Sequence, residues 1–561
     1  MKISVLHIIL FAFLSYSSIA QQVVLTDEVR QSLKDTPKES LWLQTNNTSF
    51  FPSEYLYFNL YTLNTSTQKA SELSKVAYVR LVSSDGDNAL EKRVALNNGF
   101  GQGDLFIPPT LKTGSYQIQA YTAWMLKEPQ SIFTQEVFII NPYTNAKVTA
   151  VNTEELTSNN KPTKLGEFNS IAIEVAKQYK KRDSIELRIR IMNEANLSSF
   201  PYSISVRKID TIPHPIRNQI WNSKSVQNTS IKDSIWLPEH RGGTIRAQVN
   251  SDFFDAKSAV ISQRGTDRLV LRLTEENSNT ISIQTPKANS DFSVLIQDQG
   301  NYSIEDLINF NSLPKPKKQT YPSTFKSIDP HFKTAIVKRS LYNQIENSYF
   351  EFKPDSIILN PNTSFLKSLN SVEFNLNEYT RFATLKETIR EIIPEVSVTT
   401  IQEKDVIRVK QIRMMPRFEN ALLLVDGIVF ANTQQLFDIS ATMIDKIRVY
   451  TEPFVLGGKT YAGALIMTGN NPEAPYFKKA VSVPQTHLTE SPKSYFNQLH
   501  KSKSNLPDYR TQLYWNPRLS PSEFQNIQLF SSDISGRFEV RIQGLDSNLQ
   551  PFSVVKEFEV N

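Results

Sequence analysis

The sequence predicts a mainly β protein: β-sandwiches in tandem, one α/β unit, and a closing C-terminal β-sandwich. Three observations carry that expectation. Short runs that alternate apolar and polar residues recur from residue 55 to residue 297, separated by turn-rich pieces. One stretch beginning near residue 380 switches to helical spacing, and the alternation returns from residue 506 onward. With 561 residues, 39% of them hydrophobic, and 33 Phe and 21 Tyr, the chain can bury several cores and is not globally disordered.

The chain opens with Met1-Lys2, an apolar run from Ile3 to Leu14, and the small residues Ser18 and Ala20 before Gln21. That order predicts a secretory signal peptide over 1–20. The run is too short for a comfortable membrane span, and no later stretch approaches the roughly 20 apolar residues one needs. The expected mature protein begins near Gln21, is exported, and is soluble or peripherally attached.

The first sandwich is expected over 21–145, from "YLYFNLYTL" (55–63), "KVAYVRLV" (75–82) and "SYQIQAYTAW" (115–124). Turns fall at Ser83-Ser84-Asp85-Gly86-Asp87 and Asn97-Asn98-Gly99. A second is expected over 165–238, from "SIAIEVA" (170–176), "SIELRIRIM" (184–192) and "YSISVRKI" (202–209). A third, over 239–300, rests on "TIRAQV" (244–249), "RLVLRL" (268–273), "TISIQT" (280–285) and "FSVLIQ" (292–297). Residues 301–379 are less regular, hold Lys315-Pro316-Lys317-Lys318, and read as an irregular linker with room for short elements.

In "TLKETIREIIPEV" (384–396), Leu385, Ile389, Ile392 and Ile393 share one helical face, and Pro394 stops the helix. "DVIRVK" (405–410), "ALLLVDGIVF" (421–430), a helix from Gln434 to Ile444, "IDKIRVY" (444–450) and "AGALIMT" (462–468) complete a small α/β unit over 380–470. A polar linker over 471–505 then leads to a β-domain over 506–561, with "YRTQLYWNP", "NIQLFSSD", "GRFEVRIQGL" and "VVKEFEV".

The absence of cysteine excludes disulfides, thiolate metal sites, cysteine nucleophiles and a lipoprotein anchor. A formal charge of +6, or +5 without Lys2, is a weak basic bias for this length and gives no reason to expect nucleic acid as a partner. Gly458-Lys459-Thr460 looks like the tail of a phosphate-binding loop. The glycine needed five positions earlier is Pro453, and Tyr461 to Met467 reads as a strand where a helix should open. Nucleotide is therefore not expected.

The six histidines, His7, His214, His240, His331, His487 and His500, are scattered and form no H-E-x-x-H. Leu237-Pro238-Glu239-His240-Arg241-Gly242 resembles a hinge that recurs between sandwiches in a family named below, and reads as structural. The pairs Glu154-Glu155 and Glu275-Glu276 read as solvated loop charge, since a glycosidase needs two carboxyls held across a cleft. The triplets Asp183-Ser184-Ile185, Asp210-Thr211-Ile212, Asp233-Ser234-Ile235 and Asp355-Ser356-Ile357 resemble bacterial O-glycosylation acceptors; they equally read as a turn followed by a strand, the favoured reading. No catalytic, cofactor-binding or metal-ligating residue is assigned, no cofactor is expected, and the chain is not read as an enzyme.

Two segments resemble known families. "LLLVDGIVF" (422–430), "MIDKIRVY" (443–450) and "GGKTYAGALIMTG" (457–469) are similar, in that order, to the plug domain of TonB-dependent outer-membrane receptors. There Asp426-Gly427 makes a tight turn, and Gly457, Gly458 and Gly463 permit bends. The 91 residues after Asn470 are too few for a receptor barrel. "LWLQTNNTSFFPSEYLYFNLYTLN" (41–64) and "GFGQGDLFIPPTLKTGSYQIQAYTAWM" (99–125) resemble the macroglobulin-type (MG2) β-sandwich of Gram-negative surface proteins. Asn46, Asn47, Ser53 and Tyr57 stand where that family usually has Asp, Lys, Gly and Trp. Residues 507–520 and 530–545 resemble its closing β-domain. The resemblance implies a non-catalytic exported scaffold or accessory subunit of an outer-membrane β-barrel complex, such as a nutrient receptor or assembly and secretion machinery. Its partners would be the barrel or its accessory subunits, through which it reaches the membrane. The thioester of protease-trapping macroglobulins is excluded, there being no cysteine. The alternative is a surface protein that captures glycan or peptide for uptake.

Overall fold

The computed structural model describes residues 22–24, 36–128, 131–144, 168–217, 234–249, 259–263, 273–274, 280–284, 293–298, 308–310, 312–323, 325, 328–358, 369–410, 421–430, 433–456, 459–469, 481–482, 484–499, 505–520 and 524–561. The protein is mainly β, with several sheets. It divides into two compact units. One spans Gln21–Gly243, Pro314–Ile358 and Thr489–Asn561; the other holds Thr244–Leu313 and Leu359–Leu488.

In the first unit, the strands Glu39–Thr45, Tyr55–Asn64, Lys69–Ala70 and Phe100–Phe106 form one sheet. A second sheet runs Ser49–Phe50, Phe133–Ile139, Gly114–Tyr121, Val76–Ser83, Asn88–Ala95 and Thr489–Glu490. The strand Tyr55–Asn64 was expected to be half-buried, yet Leu56, Phe58, Leu60, Asn59 and Tyr61 are all fully buried. Its polar face is covered as well: the Tyr61 hydroxyl donates to the Pro201 carbonyl at 3.0 Å.

Within residues 237–242, Glu239 is a buried tie, while Leu237, His240 and Arg241 are exposed. Glu239 accepts from the Arg93 guanidinium and from the Tyr78 hydroxyl, each at 2.8 Å. Such a pair is tolerated in a core only because each partner neutralises the other.

Strands 171–208 and 512–560 do not form separate domains; they build a single sandwich. Ser184–Ile191 lies between Ile171–Glu174 and Phe524–Phe530, and Tyr202–Lys208 lies between Gln512–Leu519 and Gly536–Leu545. Pro551–Val560 and Gln178–Tyr179 extend the second sheet. Ile185, Leu187, Ile189, Ile204 and Val206 meet Phe538, Val540, Ile542 and Leu529 in one core. Each half supplies strands to both sheets, so pairing across more than 300 residues closes the core.

Residues 301–379 are not an irregular linker throughout. They contain the α-helix Lys333–Ser348, and Ser356–Ile357 pairs with Lys493–Ser494. The 471–505 segment likewise contributes strands: Val481–Ser482 pairs with Ser293–Asp298, and Thr489–Glu490 pairs with Asn88–Ala95.

In the second unit, Leu273–Thr274, Thr280–Gln284, Thr244–Val249 and Ile308–Phe310 form one sheet; Ala259–Gln263, Ser293–Asp298 and Val481–Ser482 form another. Part of the expected strand at 268–273 lies outside the described residues. The α/β region is a five-stranded sheet ordered Ser371–Asn375, Ile444–Tyr450, Ala464–Gly469, Leu422–Val425 and Ile428–Val429. Its helix Leu385–Ile392 is capped by Thr384, whose side chain accepts from the Glu387 N–H while Glu387 reaches back. Leu385, Ile389, Ile392 and Ile393 are all in the core, as their spacing predicts. The helix expected over 434–444 is two short pieces, Thr433–Phe437 and Ala441–Met443, because Ser440 caps a new turn. Asp426 and Gly427, at φ 50° and 86°, form the expected tight turn. Gly463 is required by close packing: a Cβ there would lie 2.3 Å from the Tyr450 carbonyl oxygen.

Candidate functional site

The first unit carries a half-open cavity of about 170 Å³. One wall is the 46–57 segment. The Asn46 side-chain oxygen accepts from the Tyr57 N–H at 3.1 Å, and Glu54 accepts from the Phe51 N–H at 2.9 Å. Ser53 holds a left-handed φ of 69°. This turn sends Leu56 and Phe58 inward and leaves Tyr55 and Tyr57 lining the cavity.

A second wall is the helix Lys333–Ser348. Its buried residues are Ile336, Arg339, Ser340, Tyr342 and Asn343; four of them are spaced i, i+3, i+4, i+7 in a mostly polar stripe, and Tyr342 joins the sandwich core. Arg339 donates to both Glu54 oxygens at 2.8 and 2.7 Å, to Asp210 at 2.7 Å and to the Ser49 carbonyl at 2.9 Å. Its guanidinium also lies 4.5 Å from the centre of the Phe51 ring. Asn343 adds a bond to Glu54 at 2.9 Å.

The remaining walls come from Arg207 on the strand Tyr202–Lys208, from Arg510 to Gln512, and from Phe350, Lys353, Asp355 and Phe496. Arg510 makes a bidentate pair with Asp508, both bonds at 2.7 Å. Lys353 pairs with Glu346. Gln512 accepts from Asn46 at 3.2 Å and donates to the Tyr514 carbonyl at 2.7 Å, joining the two sandwiches at the cavity floor.

Burial dominates the titration of this region. It pushes the Tyr55 hydroxyl up to about 12 and Tyr57 well above the ordinary range. Asp355 is raised by burial too, although the Phe496 N–H bonded to it at 2.9 Å works the other way. For Asp210 burial acts upward, but the Arg339 and Arg207 guanidinium groups carry its carboxyl below the usual range. Arg207 is lowered, by burial first and by the neighbouring Arg339 second.

Beside the cavity, buried Asp104 accepts from Lys92 at 3.1 Å and Lys493 at 2.8 Å, and both lysines also reach Glu490. Burial would raise the Asp104 carboxyl; the two ammonium groups hold it below its ordinary value. Tyr57 packs edge-on against Tyr495 at 4.8 Å and stacks on Trp515 at 5.9 Å.

All four residues that depart from the macroglobulin-type hallmark, Asn46, Asn47, Ser53 and Tyr57, line this cavity. The sequence reading assigned no site residues and so missed Glu54, Arg207, Arg339 and Arg510. Nothing in the linear sequence joins them, since they arrive from four separate stretches. Lys459 and Thr460 lie in a hairpin, with Leu456 paired to Lys459, whereas Gly457 and Gly458 fall outside the described residues. The carboxylate pairs Glu154-Glu155 and Glu275-Glu276, His7, His500 and the 1–20 segment also lie outside them.

Among the described residues, no group of three or more His, Asp or Glu side chains could hold a metal ion, and no helix is long and apolar enough to cross a membrane. Asp210 accepts from the Ile212 N–H at 3.1 Å, and Ser184 and Ser356 each begin a strand, so these three triplets are turns or strand starts. Asp233 lies outside the described residues.

No protein-family model matches the chain, and no curated protein sequence does. Among solved structures, the chain is similar to Salmonella alpha-2-macroglobulin reacted with methylamine, at 9% identity and a TM-score of 0.24, over 93% of this chain and 39% of that one. Trypsin-activated alpha-2-macroglobulin from Escherichia coli gives 8% identity and 0.23, over 93% and 41%. Dimeric latent PorU from Porphyromonas gingivalis gives 8% and 0.16, over 49% and 33%. The chain thus spans about two fifths of the length of these macroglobulins.

Proposed function

We propose that this chain is an exported, non-catalytic scaffold subunit of an outer-membrane β-barrel complex. The observation that supports the reading is the α/β sheet. The three segments similar to a receptor plug contribute its hydrogen-bonded neighbours: Leu422–Val425 runs parallel to Ala464–Gly469, which pairs with Ile444–Tyr450. In this reading the sheet is a docking module for the barrel or its accessory proteins, and the sandwiches are the spacer that carries it.

The test is a mild-detergent pull-down of tagged protein from outer membranes, with mass spectrometry of what comes with it. Stoichiometric recovery of a large β-barrel protein is expected. Recovery of free monomer from the soluble fraction would overturn the reading. A second reading, capture of glycan or peptide, is favoured by the aromatic and amide-lined cavity of the first unit.

A further inference from the structure

We propose that this cavity is a binding site for an organic carboxylate anchored by the guanidinium of Arg207. The inference narrows the capture reading and stands apart from the scaffold reading. Arg207 is more than nine-tenths buried and lines the cavity. Its guanidinium makes no close ion pair or hydrogen bond among the described residues, whereas each carboxylate near it is hydrogen-bonded to another arginine. Glu54 and Asp210 are bound to Arg339, Glu539 to Arg541 at 2.8 Å, and Asp508 to Arg510.

Asp210, Glu539 and Glu54 act on the charge of Arg207 through space, but buried N–H donors that bond to none of them are costly to leave unmade. Arg207 lines the cavity, which is the space left to supply its N–H donors with an acceptor. An anion seated there restores the missing partner. Arg207 is held in place by its strand: Tyr202, Ile204 and Val206 fix the opposite face in the sandwich core. The anchor is therefore preorganised, which lowers the cost of binding.

Three features select a carboxylate. The planar guanidinium fork matches it in a bidentate arrangement. The unused donors of the fork call for paired acceptor oxygens, and Asp355 and Glu346 on the same walls oppose a phosphate dianion. Phe50, Tyr55, Tyr57, Phe350 and Phe496 favour an organic body over a bare inorganic ion. The volume of about 170 Å³ suits a group of benzene size, which a cavity of roughly 150 Å³ accommodates.

The full chain would be titrated calorimetrically with benzoate and benzamide, and with the tripeptide Gly-Gly-Phe as free acid and as amide. At least one acid is expected to bind saturably, with its neutral amide at least tenfold weaker. Benzoate saturation identifies a free small acid as the source; saturation by the tripeptide acid alone identifies a peptide terminus. Arg207→Met should remove the preference for acid over amide, while Arg188→Met, at an exposed pair, should keep it. Should Arg207→Met not fold, the acid–amide contrast on the native chain decides. Equal binding of acid and amide, no saturation by either acid, or an unchanged Arg207→Met would overturn the inference. Saturable binding of a neutral sugar with no acid preference would also overturn it, yet leave the capture reading standing.

Discussion

Replacing Arg339 by Met keeps the length of the side chain and removes its charge, and the structure sets the consequence. Arg339 is the shared cation of Glu54 and Asp210, with side-chain exposures of 7%, 11% and 22%. Its loss strands two carboxylates in low-dielectric surroundings and frees the Ser49 carbonyl. Removing one partner of a buried pair costs about 3–5 kcal/mol. The retained methylenes of Met and their packing near Phe51 return part of that, so about 3 kcal/mol at neutral pH is expected.

The pH dependence carries a definite sign. Asp210 has a depressed folded-state pKa, so its contribution is present above the unfolded value near ~3.9 and is lost as pH falls through the folded value. Without Arg339 the chief depressing charge is gone and burial, which raises the pKa, prevails. The variant therefore protonates Asp210 at higher pH, and its deficit shrinks as pH falls toward 4. Urea unfolding followed by the fluorescence of Trp515, with a single-tryptophan background, reads this directly. A deficit below about 1 kcal/mol at pH 7, or one that grows in acid, would refute the reasoning.

Three further outcomes are expected. Ser53→Gly relieves a left-handed φ of 69°, a strain of about 1–2 kcal/mol, against roughly 0.4–1 kcal/mol of added unfolded-state freedom. Its urea midpoint should rise slightly, and a fall would show that the Ser53 side chain contributes more than the strain. Gly463→Ala forces a Cβ onto the Tyr450 carbonyl, so the α/β unit should lose at least about 2 kcal/mol, while the Trp515 transition stays put. In this cysteine-free chain, Glu186→Cys with Gln528→Cys places two thiols at directly paired positions; oxidation should close a disulfide seen by mass, and failure to close would contradict the register.

Legibility in the sequence followed locality. Ile185, Leu187, Ile189 and Ile191 alternate with exposed residues in the structure as they do in the chain. The face of Leu385, Ile389 and Ile392 was equally plain, because one stripe of aliphatics meets one core. The helix Lys333–Ser348 was invisible for the opposite reason. It turns Arg339, Ser340 and Asn343 inward and leaves Val337 and Leu341 about half exposed, so a search for an apolar stripe finds the wrong face. The merger of 171–208 with 512–560 was illegible because alternation tells which face of a strand is buried and is silent about which strand covers it.

The polar character of the cavity walls follows from the same geometry. Strand Tyr202–Lys208 is buried on both faces: Tyr202, Ile204 and Val206 go to the sandwich core, while Ser203, Ser205 and Arg207 go to the opposite side. On that side Ser203 accepts from Gln44 at 2.6 Å and Ser205 accepts from Gln512 at 2.9 Å. Each polar group along this row is matched until the row reaches Arg207 at the cavity. Were the row there only to join two sandwiches, an apolar residue at 207 would do so without the desolvation cost of a guanidinium. Asp210 and Glu539 answer the charge of Arg207, and its unused N–H donors at the cavity are what an occupant would satisfy.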